Sequence, residues 1–178
     1  MKKQMIVLAL ILCFFSASAQ NEAPRNYFLI NTGISYHQFT ENVGPSYSNH
    51  YLLTFGRFLA LGAGLHFSQS ISEEETNDSR IMRMMTNFHA YFRPLNSGRH
   101  TLLIGTGPRI VYTTKSSSLL NTSIEPLYEM SFRSVSCHYL ITVYKNWFMG
   151  VNLQFDNFER TGKDDSQFNG GISAGITL

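Results

Sequence analysis

The chain has almost no cysteine: two in 178 residues, Cys13 and Cys137. Cys13 lies in a leading segment expected to be removed, so one thiol remains, and a single thiol cannot form an internal disulfide. Charge is also scarce. Charged residues make up 15% of the chain, against about a quarter in an ordinary soluble domain. Beyond Gln20 no apolar run reaches the ~18 residues that a transmembrane helix requires. These absences exclude a disulfide-stapled fold and a helical membrane protein. Aromatic residues, by contrast, are plentiful at 13%, including 14 Phe and 9 Tyr. A chain this aromatic and this poor in charge does not suit disorder.

The first residues read as a targeting segment and not as part of the fold. Lys2 and Lys3 form a basic start, Met5 to Phe15 is an apolar run, and Ser16-Ala17-Ser18-Ala19 supplies the small residues of an A-x-A cleavage site. That is a secretory signal peptide over residues 1–19, too short to span a bilayer as a helix. The remaining domain, 20–178, holds equal numbers of basic and acidic residues once Lys2 and Lys3 are gone, 12 of each. Such a balance gives no reason to expect a nucleic-acid partner.

If the domain resides in a membrane without helices, the other structure that satisfies every backbone polar group is a closed β-barrel. Its mark is a series of alternating segments separated by turns. The chain has this pattern throughout. From Tyr27 to Thr40, Phe28, Ile30, Ile34 and Tyr36 oppose Asn31, Gly33, Ser35 and His37. From His50, Tyr51, Leu53 and Phe55 share a face, and a tight turn follows near Arg57-Phe58. Leu59 to Gln69 alternates apolar residues with Ala60, Gly62, Gly64, His66 and Ser68. Ile81 to Arg93, Thr101 to Thr113, the second half of Ile124 to Tyr144, Trp147 to Asp156 and Phe168 to Leu178 continue the series. The first half of Ile124–Tyr144, around Glu125-Pro126, reads equally as loop or strand extension. Polar stretches at 41–49, 70–79, 114–123 and 158–167 read as long loops, and 57–58, 94–98 and 145–146 as short turns. This predicts an all-β fold: an eight-stranded antiparallel up-and-down transmembrane β-barrel, with short turns at one end and long loops at the other.

Three stretches carry a family likeness: FGRFLALGAGLHF (Phe55 to Phe67), NFHAYFRPLNSGRHTLLIGTGPRI (Asn87 to Ile110) and NGGISAGITL (Asn169 to Leu178). In these the chain resembles the small outer-membrane β-barrel proteins of the OmpA/OmpX/OmpW type. The resemblance covers nearly all of the mature chain. It implies a Gram-negative outer-membrane location and outer-membrane lipid as surroundings. It also implies barrel-assembly and periplasmic chaperone machinery as partners, with the barrel a monomer. Such barrels often end in an aromatic residue, whereas this chain ends in Leu178. The family does not imply one function, because its fold serves anchors, adhesins, channels and lipid-modifying enzymes alike.

Side chains expected on the polar face would fill the lumen. Arg93, Arg109 and Asp156 fall there, with His66, His89 and His138, and also His37 and His50. An eight-stranded barrel is barely wide enough for side chains, and a buried charge needs a partner, so an internal ion-pair network that plugs the lumen is expected. A narrow channel for small solutes or ions, with selectivity set by the same charges, is the alternative. The histidines lack metal-ligand spacing, and no metal or other cofactor is expected. Ser136 and His138 sit two apart on one strand face, pointing inward. That is a poor arrangement for nucleophilic catalysis and the wrong direction for a lipid substrate. The expectation is therefore a non-enzymatic barrel with a structural or surface-interaction role. A lipid-modifying enzyme and a soluble lipocalin-like binder are weaker alternatives. Inward glycines (Gly33, Gly56, Gly62, Gly64, Gly105, Gly107, Gly150, Gly171, Gly175) would relieve crowding. Trp147, Tyr51, Tyr112 and Tyr139 suit an aromatic girdle, and Glu73-Glu74-Glu75 reads as a solvated loop tip.

Overall fold

In the computed structural model, the described residues are 26–38, 42–74, 77–97, 99–117, 127–160 and 163–178. The signal-peptide reading of residues 1–19 lies outside them. Alternating segments become eight strands: β1 (Asn26–His37), β2 (Asn42–Phe55), β3 (Leu59–Glu74), β4 (Asn77–Ser97), β5 (His100–Ser117), β6 (Leu127–Tyr144), β7 (Trp147–Arg160) and β8 (Lys163–Thr177). Each pairs antiparallel with its sequence neighbours, and β1 pairs with β8, so the sheet closes on itself. Closure leaves no free edge, and in lipid no backbone group can look to water for a partner.

Period-two patterning sets the register. On β7, Trp147, Met149, Val151, Leu153 and Phe155 point outward and are exposed, while Phe148, Asn152, Gln154 and Asp156 are buried inside. The outward run covers about nine residues, the length a tilted strand uses to cross the hydrocarbon layer. The other strands repeat this arrangement, so the barrel wears a continuous apolar belt far larger than a soluble monomer exposes. A soluble ligand-enclosing barrel would need the reverse, with apolar side chains inside. Among the described residues no helix is long and apolar enough to cross a membrane.

Several stretches read as loops are paired strand. Residues 42–49 belong to β2, where Gly44 faces Ser35 and Pro45 faces Ile34. There Val43, Pro45 and Tyr47 point out and Ser46 and Ser48 point in, so the alternation persists beneath a turn-like composition. Gly44 is required for packing: a Cβ there would lie 1.6 Å from the Gln69 carbonyl oxygen. Glu73 and Glu74 pair with Asp78 and Asn77, β5 continues to Ser117, and β7 and β8 pair as far as Arg160 and Lys163. Polar composition in these stretches marks strands that leave the belt, not chain reversal. Pro94 to Ser97 is also strand, entered through a bulge between Phe92 and Leu95. Of the shorter connections, 56–58 and 145–146 are turns as expected, with left-handed backbone at Gly56 (φ 66°) and Lys145 (φ 42°). The start of β1 and the end of β8 meet at this turn end: Leu178 N–H donates to the Asn26 carbonyl at 2.8 Å.

Candidate functional site: the filled lumen

Alternation sends one side chain in two into the lumen, and these fall into two unlike zones. Toward the turns the zone is apolar. Tyr27, Leu29, Leu52, Ala60, Tyr91, Leu103, Leu140 and Phe148 form one buried cluster, contributed by β1 through β7. Tyr27 and Phe148 pack ring to ring at 5.4 Å. The missing contribution from β8 is Gly175, and its emptiness is filled by neighbours: a Cβ there would meet Phe148 at 2.6 Å and Leu29 at 2.9 Å. Gly62 and Gly105 make room in the same way, for Leu52 and Tyr91 respectively.

The sequence reading, with its mostly polar lumen, does not include this apolar plug, although a signal for it exists. Phe28-Leu29-Ile30, Tyr51-Leu52-Leu53, Leu102-Leu103-Ile104, Tyr139-Leu140-Ile141 and Trp147-Phe148-Met149 are apolar triplets near strand ends. Strict alternation should place a polar residue or glycine in the middle. Apolar middles on strand after strand, at one height, mean a lumen section filled with hydrocarbon.

Toward the loops the lumen is polar and charged. Arg109 and Asp156 are fully buried and form a salt bridge. Arg109 also donates from Nε to Asn87 Oδ1 at 2.5 Å, and Nη1 contacts Met85 Sδ at 3.2 Å. Asp156 accepts from Gln154 Nε2 at 3.1 Å and from Asn169 Nδ2 at 3.5 Å. Gln167 extends the network, donating to Asn169 Oδ1 at 2.8 Å and to Ser68 Oγ at 3.2 Å. Its Oε1 accepts from Arg83 Nη1 at 3.3 Å, and the same Nη1 lies 2.6 Å from His37 Nδ1. Further round, Asn31 donates to Ser48 Oγ at 2.9 Å and accepts from Ser173 Oγ at 2.6 Å. Hydrogen-bonded charge of this kind is what allows an ion pair to persist away from water.

Residues singled out from the sequence divide between the zones. Arg109 and Asp156 meet directly. His89 lies between two hydroxyls, Nδ1 at 3.1 Å from Ser136 Oγ and Nε2 at 3.0 Å from Ser134 Oγ. His138 packs edge-on against His50 at 5.4 Å and against Tyr91 at 5.9 Å. His66 is buried on β3, across from Ser48. Arg93 stands apart at the turn end. It donates to Tyr27 Oη at 3.3 Å and to the Gly56 carbonyl at 3.2 Å, and its guanidinium lies 5.7 Å from the Tyr27 ring centre. Arg83 and Gln167 belong to the polar network but are absent from the sequence-derived set. Arg83 lies among Met82, Met84 and Met85, where alternation is hard to read, and Gln167 falls in a stretch read as loop.

The Ser136–His138 pairing considered for catalysis is not formed. Ser136 is bonded to His89, and no ring nitrogen of His138 has a hydrogen-bond partner among the described residues. His89 engages a hydroxyl on each side, so no carboxylate orients it, and both serines are buried. A nucleophile needs a base, an orienting group and an approach for substrate. This arrangement has the first alone. Among the described residues no group of three or more His, Cys, Asp or Glu side chains could hold a metal ion.

No protein-family model matches the chain, and no curated protein matches it in sequence. Solved structures do match in fold. Ail, the attachment invasion locus protein of Yersinia pestis, crystallised with the heparin analogue sucrose octasulfate, superposes with a TM-score of 0.62 at 12% identity, covering 88% of this chain and 100% of Ail. Neisserial surface protein A gives 0.60 at 11% identity, over 88% of this chain and 99% of that one. The N-terminal β-barrel domain of OprF from Pseudomonas aeruginosa gives 0.50 at 10% identity, over 85% and 97%. At identities this low the likeness lies in the fold alone, and the fold is that of the small eight-stranded outer-membrane β-barrels.

Proposed function

We propose that this chain is a non-enzymatic, non-conducting barrel of the Gram-negative outer membrane that anchors its loop end at the surface. The apolar plug carries this reading. Water and ions cross a pore only if some path through it is wet. Here side chains from seven of the eight strands fill one section of the lumen with hydrocarbon. Beyond it, Arg109 and Asp156 neutralise one another instead of presenting a charged ring to a passing ion. A channel would need open volume along the axis, and a lipid-modifying enzyme would need reactive groups accessible from the bilayer.

Outer-membrane lipid is the partner of the belt. Barrel-assembly and periplasmic chaperone machinery serve during biogenesis, and the mature protein is a monomer. Surface contact is left to the loop end; Ail, which shares the fold, has been crystallised with a heparin analogue. Planar-bilayer recording tests the reading. The purified barrel should give no unitary current, and well-resolved single-channel openings would replace this reading with the channel. Fractionation and a heat-modifiability gel test the membrane part separately: the protein should stay in the membrane pellet and change mobility on boiling.

A further inference from the structure

On β6 the alternation breaks at one place, and the break leaves two successive side chains, one of them a cation, facing outward. Gly107 of β5 faces Ser134, but Arg109 faces Ser131, so β6 carries one residue more than its partner there. Ser131 and Ser134 are buried inside, and both residues between them, Phe132 and Arg133, are exposed on the outer surface. Bulges re-aim side chains in this way. Two local features hold it. Pro108, across the ladder, has no N–H to offer β6. The Ser131 hydroxyl fills the gap, accepting from the Arg133 amide at 3.3 Å and donating to the Asn157 carbonyl at 2.6 Å.

Unbroken alternation would send one of the two into the lumen: Phe132 in phase with Ser134 or, in phase with Ser131, Arg133. Instead Arg133 sits beside Asn157, two residues beyond Phe155, the last outward apolar residue of the β7 belt. Two exposed apolar side chains share its cleft: Phe132 is 70% exposed and Met130 58%. Met130, Ser131, Phe132, Arg133 and Asn157 line a cleft of about 130 Å³, well below the ~300 Å³ at which pockets for drug-sized ligands begin. A guanidinium at the edge of the hydrocarbon, beside a small cleft with an apolar rim, complements an anion that is itself attached to acyl chains.

We infer that the Phe132–Arg133 bulge is a docking site for the anionic phosphate headgroup of a lipid in the leaflet that faces the loops, its chains lying along Met130 and Phe132. The site rests on the membrane reading above, and the test separates the two. The chain has a single tryptophan, Trp147, at the turn end, so Trp147→Phe/Phe132→Trp puts the sole tryptophan in the cleft, where it is read by selective excitation. This variant is folded into phosphatidylcholine vesicles, with folding checked by heat-modifiability, and then titrated with chain-brominated phosphatidic acid or chain-brominated phosphatidylcholine. Half-maximal quenching is expected at about fivefold lower mole fraction for phosphatidic acid, the selectivity of one well-placed cation near a membrane surface. The advantage should vanish when Arg133→Gln is added and largely survive Arg133→Lys. Equal quenching by the two lipids in the Arg133 parent, or an advantage that survives Arg133→Gln, overturns the headgroup site and leaves the barrel in its membrane. No quenching by either lipid takes this face out of the bilayer, and the membrane reading falls with the site.

Discussion

The two zones of the lumen close the same barrel by different physics. On the turn side, Leu29, Leu52, Leu103, Leu140 and Phe148 need only shape and volume to match. On the loop side, Arg109 needs Asp156, Asn87 and a particular rotamer, and Asp156 needs Gln154 and Asn169 in addition. Apolar packing tolerates substitution gradually, in proportion to the volume removed. A buried charge network is all-or-none, because removing one member strands another without solvent. The polar zone should therefore be the more fragile under single substitutions and the apolar zone the real barrier to ions.

Asp156→Ala is the harshest test of that contrast. It leaves the Arg109 guanidinium buried without a counter-charge, and the loss should be about 3–5 kcal/mol. Urea titration of the barrel folded in lipid vesicles should show the midpoint fall accordingly; a loss below about 1 kcal/mol would mean that water reaches Arg109 and the polar zone is wetter than its burial implies. Next in size is Leu140→Ala in the apolar zone, where a Leu-to-Ala cavity costs about 2–5 kcal/mol. Its sharper readout is electrical. One cavity should leave the membrane silent, while Leu140→Ser/Phe148→Ser, which makes two walls of the plug polar, should admit current in a planar bilayer. Continued silence from the double variant would shift the seal to the loop-side network.

Gly105→Ala probes the fit within the plug. The added Cβ would come within 2.4 Å of two Tyr91 ring carbons, and overpacking of this kind costs about 1–3 kcal/mol. Tyr91→Leu should relieve the clash in the double variant, a coupling that a double-mutant urea cycle measures. If the two effects simply add, the glycine is not there to make room for the ring.

These zones were not equally legible in the sequence. Strand number, closure and the outward apolar face follow from period two, which lipid on one side and a lumen on the other impose on every strand. Candidate charges Arg109 and Asp156 were readable because each falls on the face opposite the apolar residues of its strand, and that face points inward. The Leu29 and Leu140 level was hidden by the same rule: an apolar residue flanked by apolar residues carries no alternation signal of its own, and only comparison across strands reveals a common height. Strand ends beyond the belt were hidden too, since Ser46, Glu73 and Lys163 look like loop residues, and only a partner strand at the right distance makes them sheet. The bulge at Phe132–Arg133 shifts the phase of β6 by one, which is why the first half of that strand resisted assignment.

The smallest expected effect is the most informative about why the loop side is polar at all. Replacing the pair together, Arg109→Met/Asp156→Leu, removes both charges and so strands neither, unlike Asp156→Ala. Met85 and Val111 already form a small apolar cluster beside Arg109, so the new side chains would extend existing hydrocarbon. Swapping a buried ion pair for apolar residues of similar volume is often neutral, here within about 1 kcal/mol of the parent. The counter-effect comes from Asn87, Gln154 and Asn169, which lose their charged partners and must re-pair among themselves. A midpoint near the parent's would mean that the network's members are kept for the conformation they specify more than for net stability. A loss approaching that of Asp156→Ala would instead make the amides around the pair, and not the pair itself, the costly element of the polar zone.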